Sequence, residues 1–322
     1  MNKRGNIAVR RMRRAQYVLA AILAPVLLQS CFTGIESTPR IGESELRRQH
    51  VTTTPEQKFL SDVVPQAPAQ WSRGKEFHVT DSRIRLIFTT ASTGTDSLAG
   101  DVIRFCRFDT VPAVDSHEAT EAIFTHGSDT LRWRPGFDIA ELAGRSRLDV
   151  PFTVDMDLLA QVKAQMLGHT YYITTPLWYD PQSLQAVNGL RHIPVEITDV
   201  RAGTADMPFN VVFSPGSESA DTTSRSVLMT IGSDRLATRN FHRLFAFENP
   251  RRRYPSITDE VWKLIIHSKV RQGMTRDECR LALGAPLQIV YGNNTAGTAE
   301  RWSYPDGVYL IFDDGLLSRF RQ

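Results

Sequence analysis

The stretch GMTRDECRLALGAP, residues 273–286, spells out both ends of a helix. Gly273 permits a tight turn. Thr275 is an N-cap, and Glu278 three residues on completes a capping box. Asp277 and Glu278 place negative charge in the first turn, where the helix dipole favours it. Met274 and Cys279 stand at the spacing of a hydrophobic staple. Gly284 supplies the left-handed residue that ends a helix, and Pro286 prevents continuation. The spacing predicts a helix of about eight residues.

Working outward, Thr258-Asp259-Glu260 precedes VWKLIIHSKV, in which Val261, Leu264, Ile265 and Val270 form one apolar stripe. That is a second helix, with Thr258 as its N-cap. Downstream, PLQIVYG, ERWSYPDG and VYLIFDDGLLSRF read as a three-stranded antiparallel meander, closed by a hairpin at Asp314-Gly315.

Two helices, GMT-x-x-E-x-x-x-x-LG-x-P, W-x-Y and an aliphatic-F-x-D-G-x-L hairpin together resemble the SmpA/OmlA (BamE-like) family of small outer-membrane lipoprotein domains. The matching residues are Gly273, Met274, Thr275, Glu278, Leu283, Gly284, Pro286, Trp302, Tyr304, Phe312, Asp314, Gly315 and Leu316. The resemblance implies an α+β domain of ααβββ order over residues 256–322, and an envelope location. It also implies accessory work in assembling outer-membrane proteins, with Trp302 and Tyr304 as candidate partner-binding residues.

The N-terminus points to the same compartment. Lys3, Arg4, Arg10, Arg11, Arg13 and Arg14 precede the apolar run YVLAAILAPVLLQSC, which is too short to span a bilayer comfortably and has the order of a secretory signal. Leu28-Gln29-Ser30-Cys31 resembles a lipobox. Residues 1–30 are thus expected to be a signal peptide and Cys31 the acylated first residue of the mature chain, anchored in membrane lipid. Phe32 stands where an inner-membrane retention signal would place Asp, so the expected site is the outer membrane, facing the periplasm, with cell-surface exposure as the alternative. The polar stretch from Cys31 to residue 70 reads as a tether. Its start, CFTGIEST, resembles lipoproteins of Bacteroidales-like bacteria, and so does the β-rich region that follows.

Removing the signal changes the charge. The whole chain has 38 Lys and Arg against 35 Asp and Glu. Six cations leave, so 32 oppose 35 and the net charge moves from +3 to about −3. The support for a nucleic-acid partner goes with them. Cys106 and Cys279, each beside apolar residues, read as buried free thiols.

Between residues 71 and 250, short β-rich runs such as EFHVT, DVIRFCRF, TYYITTPLWY, HIPVEITDV and FNVVFS alternate with Gly, Pro, Asp and Ser. The pattern predicts a mainly β region of small barrel-like, SH3-like or sandwich units. VDMDLLAQVKAQMLG interrupts it as a helix stopped by Gly168. Gly74-Lys-Glu-Phe-His-Val-Thr80 can be laid on Gly168-His-Thr-Tyr-Tyr-Ile-Thr174, each followed by a second glycine-led strand at Gly100 and Gly189. The region therefore reads either as one piece or as a duplication, 71–150 and 151–250. NPRRRYPSI, residues 249–257, reads as an exposed linker.

No catalytic set is visible. The eight histidines show no metal-ligand spacing, and no nucleophile elbow or phosphate-binding loop is present. Asp155 and Asp157 read as caps of the helix they open. No enzyme activity, cofactor or metal is expected. Trp178 and Tyr179 form a further candidate partner-binding pair. Two functions follow: a non-enzymatic envelope scaffold or accessory subunit with protein partners, or a module that binds a glycan or peptidoglycan fragment in the β-rich region. An aromatic platform of Trp71, Trp133, Trp178 and Tyr179 would favour the second.

Overall fold

The computed structural model describes residues 53–89, 98–112, 118–216, 219, 223–232, 239–294 and 297–322. The expected signal peptide, Cys31 and the expected tether up to residue 52 lie outside the described residues. The described part is mainly β, as the strand-rich pattern predicts.

The first sheet contains β1 (Glu76–Val79), β2 (Val102–Pro112), β3 (Glu118–His126), β4 (Asp129–Trp133) and β5 (Thr153–Asp155), in the order β4-β3-β2-β1-β5. The second contains β6 (Thr170–Ile173), β7 (Leu177–Tyr179), β8 (Ala186–Asn188), β9 (Ile193–Ala202), β10 (Phe209–Pro215), β11 (Arg225–Met229) and β12 (Phe245–Ala246), in the order β12-β6-β9-β10-β11-β7-β8. Without the β7–β8 hairpin, the second sheet runs β11-β10-β9-β6-β12, which repeats the first strand for strand.

The connections repeat as well. A short helix joins the fourth strand to the fifth in each sheet: Ile139–Ala143 in the first and Phe241–Leu244 in the second. Gly74 and Gly168 both adopt left-handed backbone (φ 94° and 76°) before the first strand of their sheets. Their amides donate to equivalent places on the long second strand, Phe105 O and Ile197 O. Of the two readings of this region, the strand order agrees with duplication of a small barrel-like unit. The glycine-led match that suggested it marks the entry strand of each copy, β1 and β6. The second glycines, Gly100 and Gly189, precede β2 and β9.

Numbering helices along the chain, α1 is Pro55–Lys58, α2 Ile139–Ala143, α3 Met156–Met166, α4 Phe241–Leu244, α5 Asp259–Ile266 and α6 Arg276–Leu283. α3 joins the repeats. Asp155 caps it by accepting from the amides of Asp157 and Leu158, and Leu159, Val162 and Met166 bury its apolar stripe. Each repeat has its own core. Phe77, Ile103, Phe105, Phe124 and Leu131 lie in the first, and Tyr171, Ile197, Phe209, Phe213 and Phe245 in the second.

The tether expectation fails for residues 54–70. Thr54 forms a capping box with Gln57 at the start of α1. Leu60 and Val63 are buried in the second repeat's core, and Phe59 packs on Tyr171, Phe241 and Phe247. Three apolar residues within five positions bury more favourably than they solvate.

The C-terminal module is built from α5, α6 and a sheet of β13 (Gln288–Asn294), β14 (Gly297–Ser303), β15 (Tyr309–Asp313) and β16 (Leu316–Arg321), in meander order. It has four strands where three were expected, because both arms of the Asp314-Gly315 hairpin pair in the sheet. The capping box of Thr275 and Glu278 is present, and so is the Thr258 cap. Residues 249–257 are not a plain linker either. Arg251 donates to Ile257 O and Asp259 and lies 5.4 Å over the Trp262 ring. Residues 54–322 form one compact unit.

Candidate functional site

W-x-Y puts Trp302 and Tyr304 on one face of the module, because strand residues two apart point the same way. That face is the one the helices cover. Trp302 is fully buried, 4.6 Å from the Phe312 ring, and its Nε1 donates to Glu300. Glu300 in turn pairs with Arg276 at 2.6 Å, and Arg280 lies over the indole at 4.7 Å. Tyr304 is buried and its hydroxyl donates to Gly284 O, tying the sheet to the end of α6. Burial pushes its phenol up to about 12.

Trp178 is buried as well. It packs on Phe213 at 5.2 Å and donates to Thr175 O. Trp302, Tyr304 and Trp178 therefore cannot meet a partner as proposed; each is spent on packing. Tyr179 is half-buried, with Arg239 5.7 Å above its ring. With Trp133 also buried, the four aromatics form no platform.

The module's other face is open. Cross-strand pairing sets Val290, Arg301, Ile311 and Arg319 in one row and Gln288, Ser303, Tyr309 and Arg321 in the next. Among the described residues, the buried side chains of this sheet, Trp302, Leu310, Phe312 and Leu317, lie on the opposite face. Arg301, Arg319 and Arg321 are exposed, and none is ion-paired among the described residues. Arg301 lies 5.3 Å over the Tyr309 ring. Among the described residues, five of the ten exposed large hydrophobic ones, Leu287, Val290, Tyr291, Leu316 and Phe320, belong to this module.

The module is held against the second repeat by two residues that sequence reading missed. Arg191 donates to Ser268 Oγ, Thr174 O and Leu283 O, so its cation sits at the C-terminus of α6, where the helix dipole favours it. Burial without a carboxylate partner pushes its pKa down to about 10. His192 approaches Leu281 O with Nε2 at 3.1 Å and lies 5.7 Å from the Trp262 ring. A carbonyl accepts, so Nε2 carries a proton. Burial, with Arg191 beside it, pushes the imidazole down to about 4. A search for histidine pairs could not find this site, because the partner is a backbone oxygen 89 residues away.

A second concavity lies at the junction of the repeats. A cavity of about 380 Å³ is lined by Phe77, Phe152, Asp149, Asp206 and Phe209, and one of about 340 Å³ shares Pro65, Asp155 and Leu158 with it. Lys75, 4% exposed, bonds both Asp155 (2.9 Å) and Asp157 (2.6 Å) beside this groove. The two aspartates thus converge on one ammonium, and Asp155 also caps α3 as expected. Cys106 and Cys279 are free thiols; Cys106 is half-buried rather than buried as expected, and burial pushes Cys279 up to about 12. Among the described residues, no three His, Cys, Asp or Glu side chains converge as a metal site requires.

No family model matches the chain, and no curated protein or solved structure matches it.

Proposed function

We propose that this chain is a non-enzymatic outer-membrane lipoprotein, held by an acylated Cys31 and facing the periplasm. In this reading it serves as a scaffold or accessory subunit in envelope or outer-membrane protein assembly. The observation that carries the protein-contact part is the open face of the C-terminal sheet. It combines three unpaired arginines with Tyr309, Ile311 and Val290 on four adjacent strands. Arg and Tyr are the residue types enriched in protein interfaces, and the charge suits an acidic protein surface. The lipobox and the resemblance to the SmpA/OmlA (BamE-like) family supply the compartment and the kind of work.

A ligand-binding role has the groove at the repeat junction in its favour, since its volume is in the range of small-molecule sites. The expected platform of Trp71, Trp133, Trp178 and Tyr179 does not support it, because Trp133 and Trp178 are buried.

The test is crosslinking in intact cells, then tagged purification and mass spectrometry, comparing the natural chain with Arg301→Glu/Arg319→Glu. Both arginines are exposed, so the fold is expected to be retained, which circular dichroism checks. Recovery of barrel-assembly components with the natural chain and their loss with the variant supports the proposal. Recovery of none, or of the same set with both, overturns it.

A further inference from the structure

The sheet edges of this protein are treated unequally. β5, β8 and β12 are edge strands of two or three residues. β4 is covered by Phe88, which bridges Trp133, and by Thr89, whose amide donates to Arg132 O. β16 carries Arg319 and Arg321, has a register shift, and is bridged by residues 273–275: Gly273 N donates to Leu317 O, and Leu317 N to Met274 O. Short length, charge, bulges and cover are the usual protections of an edge strand.

Among the described residues, β13 has none of them. It is seven residues long and pairs with β14 in unbroken register. From Leu281 to Ala299, nineteen residues, there is no Asp, Glu, Lys, Arg or His. Leu287 and Tyr291 are 74% exposed and Val290 48%. No charge is offered to an oppositely charged partner strand. In a two-fold antiparallel pair, however, the residue on the axis meets its own copy and its neighbours meet in exchanged pairs, so an uncharged edge brings no like charges together.

We infer that β13 pairs antiparallel with β13 of a second copy, making one continuous eight-stranded sheet. With the axis at Val290, Val290 meets its own copy on the open face. Ile289 then lies opposite Tyr291 of the second copy on the helix-covered face. That is an aromatic on a β-branched residue, a favourable cross-strand pair. Ile289 already packs at the margin of the module's core, so each Tyr291 extends the other copy's core. One strand pair is a small interface, and the dimer is a weak, exchanging one. This pairing applies equally to a scaffold and to a ligand-binding protein, so its failure leaves the proposed function untouched.

Disulfide trapping tests it in the full chain, purified in detergent with Cys31→Ser and Cys106→Ser. Val290→Cys is expected to form a covalent dimer on mild oxidation. Arg301→Cys, one strand inward on the same face, is expected to stay monomeric, because its copies stand three strand spacings apart, about 14 Å, beyond the reach of a disulfide. Adding Tyr291→Lys to Val290→Cys abolishes the dimer. Sedimentation of the uncrosslinked chain shifts from a concentration-dependent dimer to a monomer with Tyr291→Lys alone. A Val290→Cys chain that stays monomeric, or equal crosslinking at positions 290 and 301, overturns the inference.

Discussion

Acidification should loosen the C-terminal module through His192, and the size of the effect follows from its burial. The imidazole is held neutral against Leu281 O and Trp262, with its pKa pushed down to about 4 from an ordinary 6.5. Above pH 6.5 the ring is neutral in both folded and unfolded chains, and its contribution to stability is fully present. Between 6.5 and 4 only the unfolded chain takes the proton, so stability falls as pH falls. Below 4 both states bind it and the loss levels off. A gap of 2.5 pH units at 1.36 kcal/mol each gives about 3 kcal/mol lost on going from pH 7 to below pH 4. The assay is urea unfolding at pH 7, 6, 5 and 4, of the natural chain and of His192→Asn. Asn is chosen because residue 192 has φ 57°, a conformation Asn tolerates. Carboxylates titrate alike in both chains and cancel in the difference. The advantage of the natural chain should shrink by about 3 kcal/mol across the series. A difference that stays constant from pH 7 to pH 4 would refute the reasoning.

Three further outcomes are expected. Arg191→Met removes a charged donor from three partners, two of them carbonyls, and should cost about 2 kcal/mol; amide exchange at the end of α6 should quicken more than exchange in the first repeat. Gly189→Ala would set a Cβ 1.9 Å from the Trp178 ring, so the melting temperature should fall by an amount matching about 3 kcal/mol of overpacking. Thr275→Ala removes the capping box of α6 and should cost about 1 kcal/mol in chemical denaturation, with Thr275→Ser close to neutral.

Local signals carried the reading of the C-terminal module. Caps, a stop glycine and a hairpin turn act within a few residues, so α6 and the Asp314-Gly315 turn were legible position by position. The repeat was legible only faintly. Gly74 and Gly168 adopt left-handed backbone, which favours glycine, whereas the strands that follow need only be β-rich, and their sequences diverge. The β7–β8 hairpin inserted in the second copy hid the match further. Residues 54–70 were misread because a polar composition outweighed Phe59, Leu60 and Val63, whose partners lie more than 100 residues away.

The site was less legible than the fold. Aromatic motifs drew attention to Trp302, Tyr304 and Trp178, but large rings at regular strand spacing fill cores before they make surfaces. The open face instead uses alternate residues, Arg301 and Tyr309 among them, which look ordinary one at a time. Only the register of four strands assembles them. Arg191, His192 and Lys75 act across 77 to 92 residues, and no local pattern announces such pairs.

The claim that the C-terminal sheet is the contact surface is tested most directly with a photo-crosslinking residue placed in living cells. One position is Arg319 on the open face and the other is Asp206 in the groove at the repeat junction. The account predicts protein adducts from position 319, containing one recurrent envelope protein, and none above background from position 206. Adducts from position 206 with position 319 silent would contradict it and place function in the β-rich repeats.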